Sequence, residues 1–143
     1  EDPSHFSAYF AGGCVGQAQQ FLAKDFFDLK NQVIDHILLG RPSDAYLKEL
    51  LGDKDKTRVV LEVLLSWFRD LVYLRAGLAG EDLTHQDRVS DLNRLGKPYD
   101  LAQLYEIIVG IGQALKYLDE NLNVKIVFYL LMEKIWVNTY KSV

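Results

Sequence analysis

Residues 57–76 constrain this chain more than any other stretch. Val59, Val60, Leu61, Val63, Leu64, Leu65, Trp67, Phe68, Leu71, Val72 and Leu74 cover more than one face of a helix, leaving a narrow polar stripe through Arg58, Glu62, Ser66 and Arg69-Asp70. A helix that is apolar on several sides belongs in the centre of a domain, with other helices around it. The remaining sequence can supply them. Almost every segment reads at the helical period, and none alternates every two residues, as a half-buried strand would over a useful length. The expected fold class is all-α.

Breaks between the helices are marked by residue type. A short helix over residues 4–11 ends at Gly12-Gly13, a pair suited to stopping and turning the chain. A second covers about residues 15–23. A third runs from an Asp25 cap to about Leu39, with Phe26, Leu29, Val33, Ile34, Ile37 and Leu38 as its apolar stripe. Gly40-Arg41-Pro42-Ser43 then combines a helix stop, a proline and a serine able to cap the next helix, and the domain boundary is placed there. Beyond it come a short helix over residues 44–51 and the long central helix. Thr84-x-x-Asp87 resembles a capping box ahead of a helix carrying Val89, Leu92 and Leu95. From Leu101 the positions Leu101, Leu104, Ile108, Ile111, Leu115 and Leu118 recur at spacings of three and four, as in a helix packed along its length. Gly110 and Gly112 inside it either permit a close neighbour or are merely tolerated, at about 1 kcal/mol each. The last helix, about residues 124–140, is expected to be largely buried. The organisation is thus a three-helix piece over residues 1–40 and a bundle of about five helices over residues 44–143.

Composition narrows the function classes. A chain of 143 residues buries a core without staples. Its single cysteine, Cys14, has no partner within the chain, and no leader with a basic start and an apolar middle precedes the first helix, so a cytoplasmic setting is expected. The start at Glu1-Asp2-Pro3, without an initiator methionine, reads as a fragment or a processed chain. With 49% hydrophobic and 25% charged residues, the balance is that of a folded protein. The longest apolar run, residues 126–132, has seven residues, against the roughly 20 of a membrane-spanning helix. A net charge of −4, with sixteen basic residues scattered along the chain, argues against a phosphate-binding surface and direct DNA contact.

No catalytic, cofactor or metal constellation is visible. Gly12-Gly13-Cys14-Val15-Gly16 lacks the lysine of a phosphate loop. His5, His36 and His85 are far apart and outside ligand spacing. Ser66 and Asp70 share a helix face, but no histidine is near in sequence to complete a nucleophilic triad. The candidates that remain are structural or interfacial. Arg69-Asp70 is a subunit contact, an internal ion pair or a solvated stripe. Asn121 and Asn123 end one helix and cap the next, or make a contact. Trp67, Phe68 and Trp136 are core residues unless one proves exposed, in which case they mark a partner.

Several of these segments carry a family resemblance. Ala11-Gly12-Gly13-Cys14-Val15-Gly16-Gln17-Ala18 is similar to the Ala-Gly-Gly-Ser-x-Gly-Arg-Ala segment in the lid of AAA+ clamp-loader subunits. Leu65-Ser66-Trp67-Phe68-Arg69-Asp70-Leu71 resembles the family's leucine-rich run ending in Arg-Asp-Leu, and residues 83–88 its short Asn-x-Asp-Arg-like start. Asn121-Leu122-Asn123-Val124-Lys125 resembles the Asn-x-Asn-x-basic segment before the final helix, while Tyr129 stands where many relatives carry Glu. Together, in order, these segments resemble the lid and collar region of clamp-loader subunits of bacterial DNA polymerase III.

The resemblance implies that the arginine which senses nucleotide in relatives is replaced here by Gln17, a degenerate sensor position without charge for a phosphate. That departure fits the delta-prime type, which does not hydrolyse ATP, better than the gamma or tau type. The implied assignment is a lid-like fragment over residues 1–40 and a collar over residues 44–143, forming a ring with gamma/tau and delta subunits, without enzyme activity or cofactor. A gamma/tau-type ATPase fragment and an unrelated helical adaptor are the alternative readings.

Overall fold

The computed structural model describes residues 23–78 and 80–141. Among them there is no strand, and the chain is all-α. The two helices expected before Ala23, together with Cys14 and Gln17, lie outside the described residues. The described helices are α1 (Ala23–Val33), α2 (Asp44–Leu51), α3 (Lys54–Arg75), α4 (Val89–Gly96), α5 (Leu101–Asp119) and α6 (Lys125–Lys141).

Helix α3 is the hub demanded by its sequence: α1, α2, α4 and α5 all pack against it, and α5 makes the most extensive contact. Val59, Val60, Leu61, Val63, Leu64, Trp67, Phe68 and Leu71 are all buried. Its ends are built as an isolated helix would require. Asp53 accepts the Asp55 and Lys56 amides, each at 3.1 Å, at the start. At the finish Gly77 takes φ +87, which a residue without Cβ adopts freely. The Leu78 amide then reaches back to the Tyr73 carbonyl and the Gly77 amide to that of Leu74, closing a Schellman motif. Helix α2 is capped as expected by Ser43, whose hydroxyl accepts the Tyr46 amide at 3.1 Å.

Helix α1 is already formed at Ala23, ahead of the Asp25 expected to cap it, and continues as a π-helical turn over Ile34–Leu38. There the Leu39 amide donates to the Ile34 carbonyl at 2.9 Å. Ile34, Ile37 and Leu38 are buried in the same core as the residues of α3. Within that turn the Ile37 carbonyl accepts the Trp136 indole N–H at 3.0 Å. The polar edge of α1 is tied down as well. Buried Lys30 pairs with Asp87, while Arg88 binds the Asn31 side chain at 2.9 Å and Asp35 at 3.1 Å.

These ties alter the segment before α4. The Thr84–Asp87 capping box does not form, because Asp87 is drawn to Lys30 and the Thr84 amide donates to Asp70; residues Gln86–Arg88 form a single 3-10 turn instead. Gly96, the last residue of α4, lies so close to α3 that an added Cβ would stand 2.7 Å from Leu71 Cδ2. Arg75 fastens the junction by donating to the Gly96 carbonyl at 2.9 Å and to that of Tyr99.

Helix α5 begins with a full capping box between Asp100 and Gln103. Its buried face is Leu104, Ile107, Ile111, Ala114 and Leu118, with Ile108 and Leu115 half-buried. Leu101, which its spacing assigns to the packed seam, is instead 58% exposed. Gly110 faces α6, where a Cβ would meet Leu131 Cδ1 at 3.2 Å, whereas Gly112 opens onto free space. Helix α6 departs from expectation. Phe128, Leu131, Met132, Ile135 and Trp136 are buried, but Ile126, Leu130 and Val137 are exposed, because among the described residues the helix is packed on one side only.

Candidate functional site

The polar residues of α3 meet the loop after it. Ser66 and Asp70 lie one turn apart on the same face, and the chain returns over them so that His85 is fully buried beside Ser66. Asp70 Oδ1 accepts the Thr84 amide at 3.0 Å and Oδ2 the His85 amide at 2.8 Å. Burial pushes the Asp70 carboxyl up to about 6, with those two amides pulling the other way. Burial, followed by the charges of Lys30 and Arg88, holds the His85 imidazole well below its ordinary range, so the ring is neutral at pH 7.

Serine, histidine and aspartate thus come together, through a histidine that was too distant in sequence to be found there. Their arrangement is not that of a triad. Both Asp70 oxygens accept backbone amides, and Ser66 Oγ donates to the Val63 carbonyl at 2.7 Å while lying 2.8 Å from His85 Nε2. The group anchors a loop: it satisfies two backbone amides and fastens the loop to α3, with the His85 ring 5.5 Å from that of Trp67.

The other sequence candidates take up separate places. Trp67 is buried, and Phe68 and Trp136 with it. Arg69 points outward from α3 while its neighbour Asp70 points inward. Asn121 ends α5 in the left-handed region, at φ +56, with the Leu122 amide bonded to the Tyr117 carbonyl at 2.9 Å and its own amide to that of Leu118 at 3.1 Å. Its side-chain oxygen accepts from the Lys54 ammonium. Asn123 accepts the Lys125 amide at 2.9 Å and so closes the start of α6. Gln17 is outside the described residues.

The surface with the properties of a docking site is formed by α5 and α6. Leu101, Tyr105 and Val109 recur every four residues along α5, with Tyr105 69% exposed. On α6, Ile126 and Leu130 are 71% and 61% exposed, and Val137 continues the stripe. Between the two helices runs a groove of about 590 Å³, with Ile107, Gly110, Leu130 and Leu131 among its apolar lining and Glu106 and Lys134 among its polar residues. Of the exposed apolar side chains on these helices, Leu130 and Val137 line the groove itself, and exposed apolar side chains beside a groove mark partner surfaces. The sequence held a signal for this face. Apolar residues surround α6 on nearly every side, and a helix of that kind needs neighbours on every side, which the described residues do not supply.

Among the described residues no group of His, Cys, Asp or Glu is placed to hold a metal ion, and no helix is long and apolar enough to cross a membrane. Neither curated proteins nor solved structures gave a match to the chain. A family model described as DNA polymerase III, delta subunit, C terminal, matches residues 24–135, which span α1 to most of α6. The chain therefore belongs to this family of DNA polymerase III clamp-loader subunit domains.

Proposed function

We propose that the chain is the collar region of a delta-prime-type clamp-loader subunit, with α1 as the last helix of an AAA+ lid-like piece. It acts as a non-catalytic scaffold: α5 and α6 dock against gamma/tau and delta subunits, and the ring so formed supports loading of the sliding clamp. The observation that carries this reading is the pair of exposed apolar stripes, Leu101-Tyr105-Val109 and Ile126-Leu130-Val137, on the two helices that flank the groove. Gln17, uncharged where relatives hold a sensor arginine, supports the delta-prime type over an ATP-hydrolysing one.

The test is entry of the parent protein into an assembly with gamma/tau and delta subunits, monitored by size-exclusion chromatography. The wild-type protein co-elutes with them. The Ile126→Glu/Leu130→Glu variant stays apart, although its unfolding free energy changes by no more than about 0.5 kcal/mol per exposed position. Failure of the wild type to enter the assembly removes the reading. A phosphate loop with its lysine in the upstream gene sequence would transfer the chain to the gamma/tau type.

A further inference from the structure

Lys48, Lys54 and Lys125 are scattered in sequence, yet the fold brings them to one cavity of about 500 Å³ between the α2–α3 turn and the α5–α6 turn. Asn121 and Asn123 also line it, and no carboxylate does. None of the three lysines forms an ion pair with a described residue, whereas Arg41, Arg58, Arg88 and Arg94 all do. The cavity also lies within the ~300–1,000 Å³ range of ligand pockets.

The polar groups are held as donors. Lys54 is positioned by its bond to Asn121 Oδ1, which uses one of its three ammonium hydrogens. Asn121 is itself fixed by its left-handed backbone and the Schellman bonds around it. The Asn123 oxygen is already engaged by the Lys125 amide. No aromatic ring lines the cavity to stack on a base. Three lysines and two asparagines around one cavity, without a stacking platform, suit an anion with several acceptor oxygens.

We propose that this cavity binds a phosphate group. Its two chemical sources are the phosphodiester backbone of a nucleic acid and a free phosphate compound. The proposal stands on the cavity alone and does not depend on how α5 and α6 dock.

The full chain is titrated with sodium pyrophosphate by calorimetry and with a fluorescently labelled single-stranded oligonucleotide by anisotropy, at several salt concentrations. The site variant is Lys48→Gln/Lys54→Gln/Lys125→Gln. Its control, Lys97→Gln/Lys116→Gln/Lys134→Gln, removes equal charge elsewhere. At least one ligand binds the wild type, and the site variant binds it at least tenfold more weakly while the control does not. If the nucleic acid is the source, the slope of log affinity against log salt falls by about 2 in magnitude, at about 0.7 per phosphate contact on a single strand. Binding of pyrophosphate without the oligonucleotide identifies a free phosphate compound. Should the site variant fail to fold, Lys48→Gln alone gives about threefold weaker binding. The proposal is overturned if neither ligand binds, if site and control variants weaken binding equally, or if only a polyglutamate peptide binds.

Discussion

Replacing Asp70 by Asn changes the way stability depends on pH, and the sign of the change separates two opposed effects on one buried carboxyl. Desolvation favours its protonated form; the amides of Thr84 and His85 favour the carboxylate. Desolvation is the larger, taking the group from 3.8 to about 6 in the folded protein. Between those values the folded chain holds more protons than the unfolded one, so this contribution is fully present below about pH 3.8 and is lost as pH rises through about 6. The loss amounts to about 3 kcal/mol. His85 acts oppositely. Its lowered folded value gives a contribution present above about pH 6.5 that is lost as pH falls, so in the wild type the two trends offset each other over the acidic range. Asp70→Asn removes only the first. Urea unfolding at a series of pH values from 4 to 7 tests this: the stability of the variant relative to wild type increases by about 2.4 kcal/mol across the series. A relative stability that is flat or falls with pH would mean that the two amides outweigh burial, and the argument would be wrong.

The two interior glycines of α5 should respond differently to alanine. Gly112→Ala gains up to about 1 kcal/mol of helix propensity, whereas Gly110→Ala gains less because its Cβ meets Leu131 Cδ1 at 3.2 Å; parallel urea curves with Gly110→Ala the more stable would contradict this placement. Asn121→Ala forfeits both the left-handed conformer and the bond to Lys54, costing about 1 kcal/mol. Asn121→Gly costs less because it keeps the backbone conformation, and equal thermal shifts for the two would count against a backbone role.

What the sequence made legible was local. The helical class, the turn at Gly40–Ser43 with its serine cap, the centrality of α3 and the helix-ending place of Asn121 all come from residues within a turn or two of one another. What it concealed was meeting at a distance. Lys30 interrupts an apolar stripe, and nothing near it names Asp87 as its partner; once they pair, Asp87 is no longer available to cap a helix at Thr84. His85 reaches Ser66 only because the loop folds back. Helix α6 was expected inside because its composition is apolar, but periodicity identifies apolar faces without counting the neighbours present to cover them. Lys48, Lys54 and Lys125 gave no sign of convergence for the same reason.

The indole of Trp136 reaches from α6 to the Ile37 carbonyl, 99 positions away in the chain, and Arg41 lies over the same ring. The π-helical turn after α1 is therefore joined to α6, whose far side carries Ile126 and Leu130. One ring thus staples the segment after α1 to the last helix, so that the inner face of α6 is held from the opposite end of the chain while its outer face stays bare.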